Sequence, residues 1–280
     1  MTAMSSTVAQ ALHAARALGV ERLDAQLLLL HALARPVHER VWPLAHDNDL
    51  VTDDVWAAFE ALCRRRATGE PVAYLLGEKE FHGLALQVDA RVLVPRPDTE
   101  TLVDWALQLA ASIAAPRMLD LGTGSGAIAL ALQAARPDAT VDAVDASADA
   151  LAVARANAQR LGLPVRFAQA DWLAGAATGY DLIVSNPPYI ATGDAHLEAL
   201  RHEPQSALAS GADGLDDLRR IVRAAPPHLA EDGWLLLEHG FDQADAVRSL
   251  LCASGFADVQ SRDDLAGIAR CSGGIRRTVK

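Results

Sequence analysis

From residue 6 to about 67 the apolar positions recur every three or four residues. Leu18, Leu23, Leu27, Leu28, Leu30 and Leu33 fall at this spacing, and Val55, Phe59 and Leu62 continue it. That period predicts helices, and no strand-like alternation interrupts it. Thr52-Asp53-Asp54 supplies an N-cap and an acidic first turn for one of them. A small helical bundle over residues 1–73 is the simplest reading. The pattern changes at 74–94 (YLLGEKEFHGLALQVDARVLV), where glycines appear and Leu84, Leu86 and Val88 alternate with other residues. This predicts a β-hairpin linker over 74–96. PRPDTE follows at 95–100, and Asp98 or Thr99 is placed to cap a helix whose apolar face is Leu102, Val103, Leu107 and Leu109.

From Arg117 onward, short apolar runs alternate with helical stretches. The runs predict strands at 117–121, 140–145, 165–169, 181–185, 233–238, 256–261 and about 267–272. Such alternation implies an α/β domain over 97–280 with a doubly wound parallel sheet. Its site is expected at the C-terminal strand ends.

Four of those strand ends carry chemistry. DLGTGSGAIAL (120–130) joins the first strand to a helix. Gly122 and Gly124 permit a tight turn and close backbone approach to a ligand. Gly126 and Ala127 let the helix start near the sheet, with its N-terminus free for an anion. Asp145 ends the second strand, where a carboxylate accepts both hydroxyls of a ribose; the alternative is an N-cap, which Ser147 or Asp149 also offers. Loop and acid together point to an adenosine-containing cofactor without separating NAD from S-adenosylmethionine. Asp171-Trp172 follows the third strand and offers an acceptor for an adenine amino group beside a flat indole wall.

The fourth strand stops on SNPPYI (185–190). Two prolines end the ladder, because neither donates to it and the first holds Asn186 extended. The Asn186 side-chain oxygen and the Pro187 carbonyl are then two acceptors on a stiff corner, suited to a planar NH2 group. Tyr189 is placed to pack on that group. Alone, the motif leaves amide and adenine amino groups tied as substrates.

Composition narrows the field. The 280 residues are 51% hydrophobic, which suits a packed core, and the net charge is −11. That balance argues against a protein whose affinity comes from neutralising phosphates. Arg64-Arg65-Arg66 reads as a solvated helix end. No apolar run is long enough to cross a membrane, and MTAMSSTVAQ does not read as a secretory leader. Cys63, Cys252 and Cys271 form no CxxC pair and read as buried, reduced thiols. His13, His31, His38 and His46 of the helical region lack ligand spacing, and no metal site is expected. Glu238-His239 ends the fifth strand and reads as structural or supporting, and Arg96 reads equally as a residue that orders the cofactor's lid or the hinge, or as a surface arginine.

The chain resembles the glutamine-N5 methyltransferases of peptide chain release factors, the PrmC/HemK family of class I S-adenosylmethionine-dependent methyltransferases. The likeness is carried by DLGTGSGAIAL, Asp145, Asp171-Trp172 and SNPPYI. VLVPRPDTETLVDWAL (92–107), EPQSALASGADGLDDLRRIV (203–222) and GWLLLEHG (233–240) extend it over nearly the whole length. It implies a Rossmann-like methyltransferase sheet behind a helical substrate-binding domain. It implies S-adenosyl-L-methionine held by Asp120, Gly122, Thr123, Gly124, Ser125, Gly126, Asp145, Asp171, Trp172 and Asn186. Asn186, Pro187, Pro188 and Tyr189 would form the glutamine pocket, with Asn186, Pro187 and Tyr189 in the catalytic role. The implied partner is a class 1 release factor bearing a Gly-Gly-Gln loop. The expected protein is a cytoplasmic monomer that does not bind nucleic acid. Other readings are an adenine-N6 methyltransferase acting on DNA or RNA, a nicotinamide-dependent oxidoreductase on the same glycine loop, and a non-catalytic binding module. PRPDTE and the acidic chain favour the amide substrate.

Overall fold

The computed structural model describes residues 6–277. The first half of the stretch read for a leader therefore lies outside the described residues. The chain divides into two compact units, Met1–Glu78 and Lys79–Lys280.

The first unit is helical. It holds β1 (Ser6–Thr7), α1 (Val8–Ala17), α2 (Arg22–Ala32), α3 (Trp42–Ala45), β2 (Leu50–Val51), α4 (Asp53–Ala67) and α5 (Val72–Leu76). Its core gathers Val8, Ala11, Leu28, Leu29, Phe59 and Cys63. Leu18 and Leu23, which the helical period placed with the core, remain 38% and 47% exposed. Thr52 accepts a hydrogen bond from the Val55 amide and caps α4 as read. The periodicity missed a two-residue antiparallel pairing of β1 with β2, a pattern too short to register. The arginine run is less free than its sequence suggests: Arg64, Arg65 and Arg66 pair with Glu60, Glu70 and Asp24 at 2.9, 2.5 and 2.7 Å.

Helix α5 runs to Leu76, so the hairpin starts later than residue 74. It comprises β3 (Glu78–Phe81) and β4 (Leu84–Gln87), and residues 88–96 are largely irregular. In the second unit α6 (Glu100–Ala110) precedes β5 (Arg117–Leu121), α7 (Ala127–Ala135), β6 (Thr140–Asp145), α8 (Ala148–Leu161), β7 (Arg166–Gln169) and β8 (Tyr180–Ser185). Then come α9 (His196–Ala199), α10 (Asp216–Ala224), β9 (Leu229–Glu238), α11 (Ala244–Ala253), β10 (Phe256–Asp263) and β11 (Ala269–Arg276). Seven strands form one sheet in the order β10-β11-β9-β8-β5-β6-β7.

Strand side chains alternate between two cores. Met118, Leu182, Val184 and Leu236 pack on one face with α6 and α7. Leu119, Leu121, Ile183, Leu235 and Leu237 pack on the other with α10 and α11. Burial on both faces explains why these strands read as continuous apolar runs. The sheet departs from the expected all-parallel form at one strand. β11 runs antiparallel to both neighbours, β9 and β10. Only residues 264–268 separate β10 from β11, too few for a parallel crossover.

Chain order runs outward from β5 through β6 to β7 and, the other way, through β8 to β9. The switch point therefore lies between β5 and β8, where ligands bind in such sheets. The Ser185 hydroxyl donates to the Leu121 carbonyl at 2.8 Å and ties these two strand ends together.

Candidate active site

The glycine loop leaves β5 in a left-handed conformation. Gly122 has φ +70° and Gly126, which precedes α7, has φ +87°. A Cβ on Gly122 would stand 3.1 Å from Trp172 Cζ3, and one on Gly126 would meet Leu130 and Ala154 at 3.0 and 3.3 Å. Both positions thus need glycine for backbone conformation and for space. The amides of Gly122 and Thr123 both donate to the Val144 carbonyl at 2.9 Å, folding the loop over the end of β6.

Beneath the loop lies Asp120, fully buried. Its Oδ2 accepts from the Thr123 hydroxyl at 2.7 Å and the Ala129 amide at 3.2 Å, while Oδ1 has no partner. Burial pushes this carboxyl up to about 7, against the opposing hydrogen bonds of Thr123 and Ala129. Asn157 of α8, also fully buried, supports the loop from the other side. Its amide donates to the carbonyls of Ser125 and Gln87 at 3.0 Å and accepts from the Gln87 amide at 2.7 Å. One side chain therefore fixes both the glycine loop and the hairpin end.

Asp145 ends β6 beside the loop. Its Oδ2 accepts from the Gly124 amide and its Oδ1 from the Ser147 amide, both at 2.9 Å. The N-cap role belongs to Ser147, whose hydroxyl accepts from the Ala150 amide at 3.1 Å. Each Asp145 oxygen keeps a further lone pair for a ligand hydroxyl.

After β7, Trp172 adopts φ +51° and lays its ring against Gly122. Its indole N–H donates to Asp217 Oδ1 at 3.1 Å. Asp171 pairs with Arg220 at 2.6 Å and is largely exposed.

These groups line a cleft of about 530 Å3. Of the residues singled out from sequence, Gly122, Gly124, Asp145, Asp171, Trp172, Asn186 and Pro188 form its walls. Asp120, Thr123, Ser125 and Gly126 shape the loop from behind. Asp217, Arg220, Arg91 and Pro204 also line it and were not singled out. The 203–222 stretch quoted for the family likeness contains Asp217, Arg220 and Pro204, but spacing alone carries no sign that they meet the glycine loop.

At the proline corner, Pro187 and Pro188 are buried and Asn186 is half-buried. The Asn186 Nδ2 donates to Thr99 Oγ1 at 3.2 Å. Tyr189 turns inward: its hydroxyl donates to Glu238 Oε1 at 3.3 Å, and its backbone carbonyl accepts from Gln243 at 3.0 Å. Burial raises the Tyr189 phenol strongly, with the Glu238 charge adding to the effect. Thr99 stands at the N-cap position of α6, one of the two the sequence offered, but its side chain makes no capping hydrogen bond. A short 3-10 turn, Pro97–Thr99, leads directly into that helix.

Arg96 binds the buried carboxylate of Glu203, whose other oxygen accepts from the Val94 amide at 3.0 Å. This pair ties the PRPDTE stretch to the segment beyond the proline corner, so Arg96 is more than a plain surface arginine. Glu238 is 1% exposed, and burial raises its carboxyl to about 7. His239 is held between the Gly240 carbonyl at Nδ1, 2.9 Å, and the Ser272 hydroxyl at Nε2, 2.8 Å. Because a carbonyl only accepts, Nδ1 carries the proton. Burial also pushes this ring down, away from the charged form. Cys63 and Cys271 are buried, but Cys252 is exposed, against expectation. No helix among the described residues is long and apolar enough to cross a membrane.

A glycine loop into a helix, an acid on the next strand and a proline corner at the switch point define a methyltransferase. Residues 99–214 match the methyltransferase small domain family, and residues 6–77 match the PrmC N-terminal domain family. A release factor glutamine methyltransferase of Bordetella pertussis is 53% identical, covering 91% of this chain and 95% of its own. One from Burkholderia pseudomallei is 48% identical over 92% of this chain and 93% of its own. A methyltransferase structure from Pyrococcus furiosus shares the fold, with a TM-score of 0.52, 18% identity, and coverage of 70% of this chain and 90% of that one. The chain belongs to the release factor glutamine methyltransferase family.

Proposed function

We propose that the cleft binds S-adenosyl-L-methionine and that the proline corner presents to it the glutamine side-chain amide of a class 1 release factor. Methyl transfer to that amide nitrogen, N5, would break the methyl–sulfonium bond, leave S-adenosyl-L-homocysteine and release one of the two amide protons. The single observation that carries this reading is the state of Asn186. Its Nδ2 is already engaged by Thr99, which leaves Oδ1 as the free acceptor on a cleft-lining residue.

The residues fit the cofactor. The backbone of Gly122 and Gly124 leaves room for close approach, and the Asp145 carboxylate stands ready for two hydroxyls. The Trp172 ring gives a flat wall for a base, and Asp171 an acceptor at its edge. Asp120, Thr123, Ser125 and Gly126 contribute by holding the loop in shape. A cleft of about 530 Å3 suits a ligand of this size. When bound, S-adenosyl-L-methionine supplies an electrophilic methyl carbon.

The chain supplies alignment. Asn186 Oδ1 accepts one N–H of the substrate amide and the Pro187 carbonyl accepts the other. Pro188 stiffens the corner and Tyr189 anchors it from within. An amide nitrogen is a poor nucleophile because its lone pair is delocalised into the carbonyl. Two fixed acceptors draw on both N–H bonds and favour the pyramidal nitrogen needed as the new bond forms. Positioning and dipoles therefore lower the barrier. The helical unit contributes to gripping the release factor, and the protein works as a monomer in the cytoplasm without a nucleic-acid substrate.

The test is incubation of the protein with labelled S-adenosyl-L-methionine and, separately, release factor, DNA and RNA. Label in the release factor is expected. Label in nucleic acid alone overturns the reading in favour of an adenine-N6 methyltransferase.

A further inference from the structure

We propose that Asp217 is a positioning residue whose carboxylate, at the start of α10, holds the Trp172 indole in place as the wall for the cofactor's base. The inference rests on the cofactor reading proposed above and adds what sets that wall.

Local preference does not put Trp172 where it stands. Its φ of +51° lies in the left-handed region, where a residue with a side chain persists only if its surroundings determine it. Two contacts hold it. The ring lies against Gly122, where a Cβ would come within 3.1 Å of Cζ3. The indole N–H donates to Asp217 Oδ1 at 3.1 Å. An indole N–H only donates and a carboxylate only accepts, so the direction of this bond is fixed.

Asp217 is itself anchored independently of Trp172. Its Oδ2 accepts from the Ser210 hydroxyl at 2.8 Å, and its own amide donates to the Ser210 hydroxyl oxygen at 2.8 Å. Ser210 is 3% exposed, and its amide donates to the Ile190 carbonyl at 2.9 Å. The next residue of α10, Leu218, is fully buried in the core. The acceptor is therefore placed by the core and by the segment that follows the proline corner. Arg220 adds a second link, to Asp171 at 2.6 Å and to Asp217 Oδ1 at 3.3 Å. The side chains of Arg220 and Asp171 are 55% and 62% exposed, so water weakens that pair and most of the hold falls to Asp217. Asp171, Trp172, Asp217 and Arg220 all line the cleft, so a ring released from Asp217 is free to turn into the space the base needs.

The experiment compares wild type with Asp217→Leu, Asp217→Asn, Trp172→Phe and the double variant carrying Asp217→Leu with Trp172→Phe. Leucine keeps roughly the volume and removes the acceptor. Asparagine keeps an oxygen for the indole and turns its NH2 toward Ser210. Phenylalanine keeps a ring without an N–H. Cofactor affinity is read by calorimetry. The Trp172 indole N–H is read by NMR of the cofactor-free protein with nitrogen-labelled tryptophan, its signal being the one missing from Trp172→Phe. Asp217→Leu should weaken S-adenosyl-L-methionine by about three- to tenfold, the fold-change of one net hydrogen bond. Its Trp172 signal should move upfield, and Asp217→Asn should recover most of the affinity. In the Trp172→Phe background the leucine change should cost less than about twofold, because the bond it removes is already gone. Asp217→Ala is read in the same way if the leucine protein does not fold. Wild-type affinity or an unmoved Trp172 signal in Asp217→Leu overturns the proposal, as does an equal loss with and without the indole. A wild-type protein that does not bind S-adenosyl-L-methionine overturns the cofactor reading instead, so the two failures are distinct.

Discussion

Replacing Asp145 tests the cofactor site most sharply, because the structure gives this carboxylate one job, bracing the glycine loop, and the proposed function gives it a second. Its oxygens hold the amides of Gly124 and Ser147 at 2.9 Å, and their remaining lone pairs face the cleft. Asp145→Ala removes two charge-assisted bonds that shape the loop and two acceptors for the ribose. Hydrogen bonds to charged groups contribute about 1.5–3 kcal/mol each, less where the site is partly solvated. Losing the equivalent of one to two such bonds should weaken S-adenosyl-L-methionine by roughly 10- to 100-fold at about 1.4 kcal/mol per decade. Asp145→Asn is the more telling variant. An amide has one oxygen, so its NH2 must face either the Gly124 or the Ser147 amide, donor against donor. The nominally conservative change should therefore also lower affinity, by about tenfold or more, and destabilise the free protein. Calorimetric titration with the cofactor or its demethylated product gives the affinities, and a thermal melt gives the stability. Unchanged affinity in Asp145→Ala would refute the ribose role. An Asp145→Asn protein that matches wild type in both assays would refute the loop-buttress argument.

Other outcomes follow from the same geometry. Gly122→Ala costs about 1–2 kcal/mol for its left-handed backbone, and its added Cβ would stand 3.1 Å from Trp172 Cζ3 and push the ring away, so both melting temperature and cofactor affinity should fall. Trp172→Ala should weaken the cofactor by about tenfold with little change in the release-factor KM, as read by titration and steady-state kinetics. Asn186→Ala should cost on the order of 100-fold in kcat, the usual effect of losing one preorganised hydrogen-bonding group. Glu238, raised from an ordinary 4.5 to about 7 by burial, makes stability depend on pH. Its folded value lies above its unfolded one, so its contribution is complete below about pH 4.5 and is lost as pH rises through about 7. Denaturant midpoints of Glu238→Gln relative to wild type should therefore improve between about pH 5 and 8.

Much of the second unit was legible because its central strands are buried on both faces and its helices on one. Those requirements leave continuous apolar runs for β5 and β8 and helical periodicity for α6. Asp145 could be placed because strand length and helix length fix where the second strand ends. Other features lay beyond spacing. Thr99 looks like a helix cap in any local reading, yet its hydroxyl is drawn to Asn186, 87 residues away. Tyr189 looks like a cleft residue, yet buried Glu238 draws its phenol inward. Asn157 carries no motif, yet it joins the hairpin to the glycine loop because α8 passes between them. β11 reverses direction because its loop is short, a fact visible in the sequence only once the boundaries of β10 and β11 are known. Local chemistry named the groups at the strand ends, and tertiary contacts decided how several of them turn.

The most direct test of the whole account is peptide-level mass spectrometry of a class 1 release factor after incubation with the protein and S-adenosyl-L-methionine. One added methyl group is expected on the glutamine of the Gly-Gly-Gln loop, formed about 100-fold more slowly by Asn186→Ala. Methylation at any other residue, or an Asn186→Ala protein as fast as wild type, would contradict it.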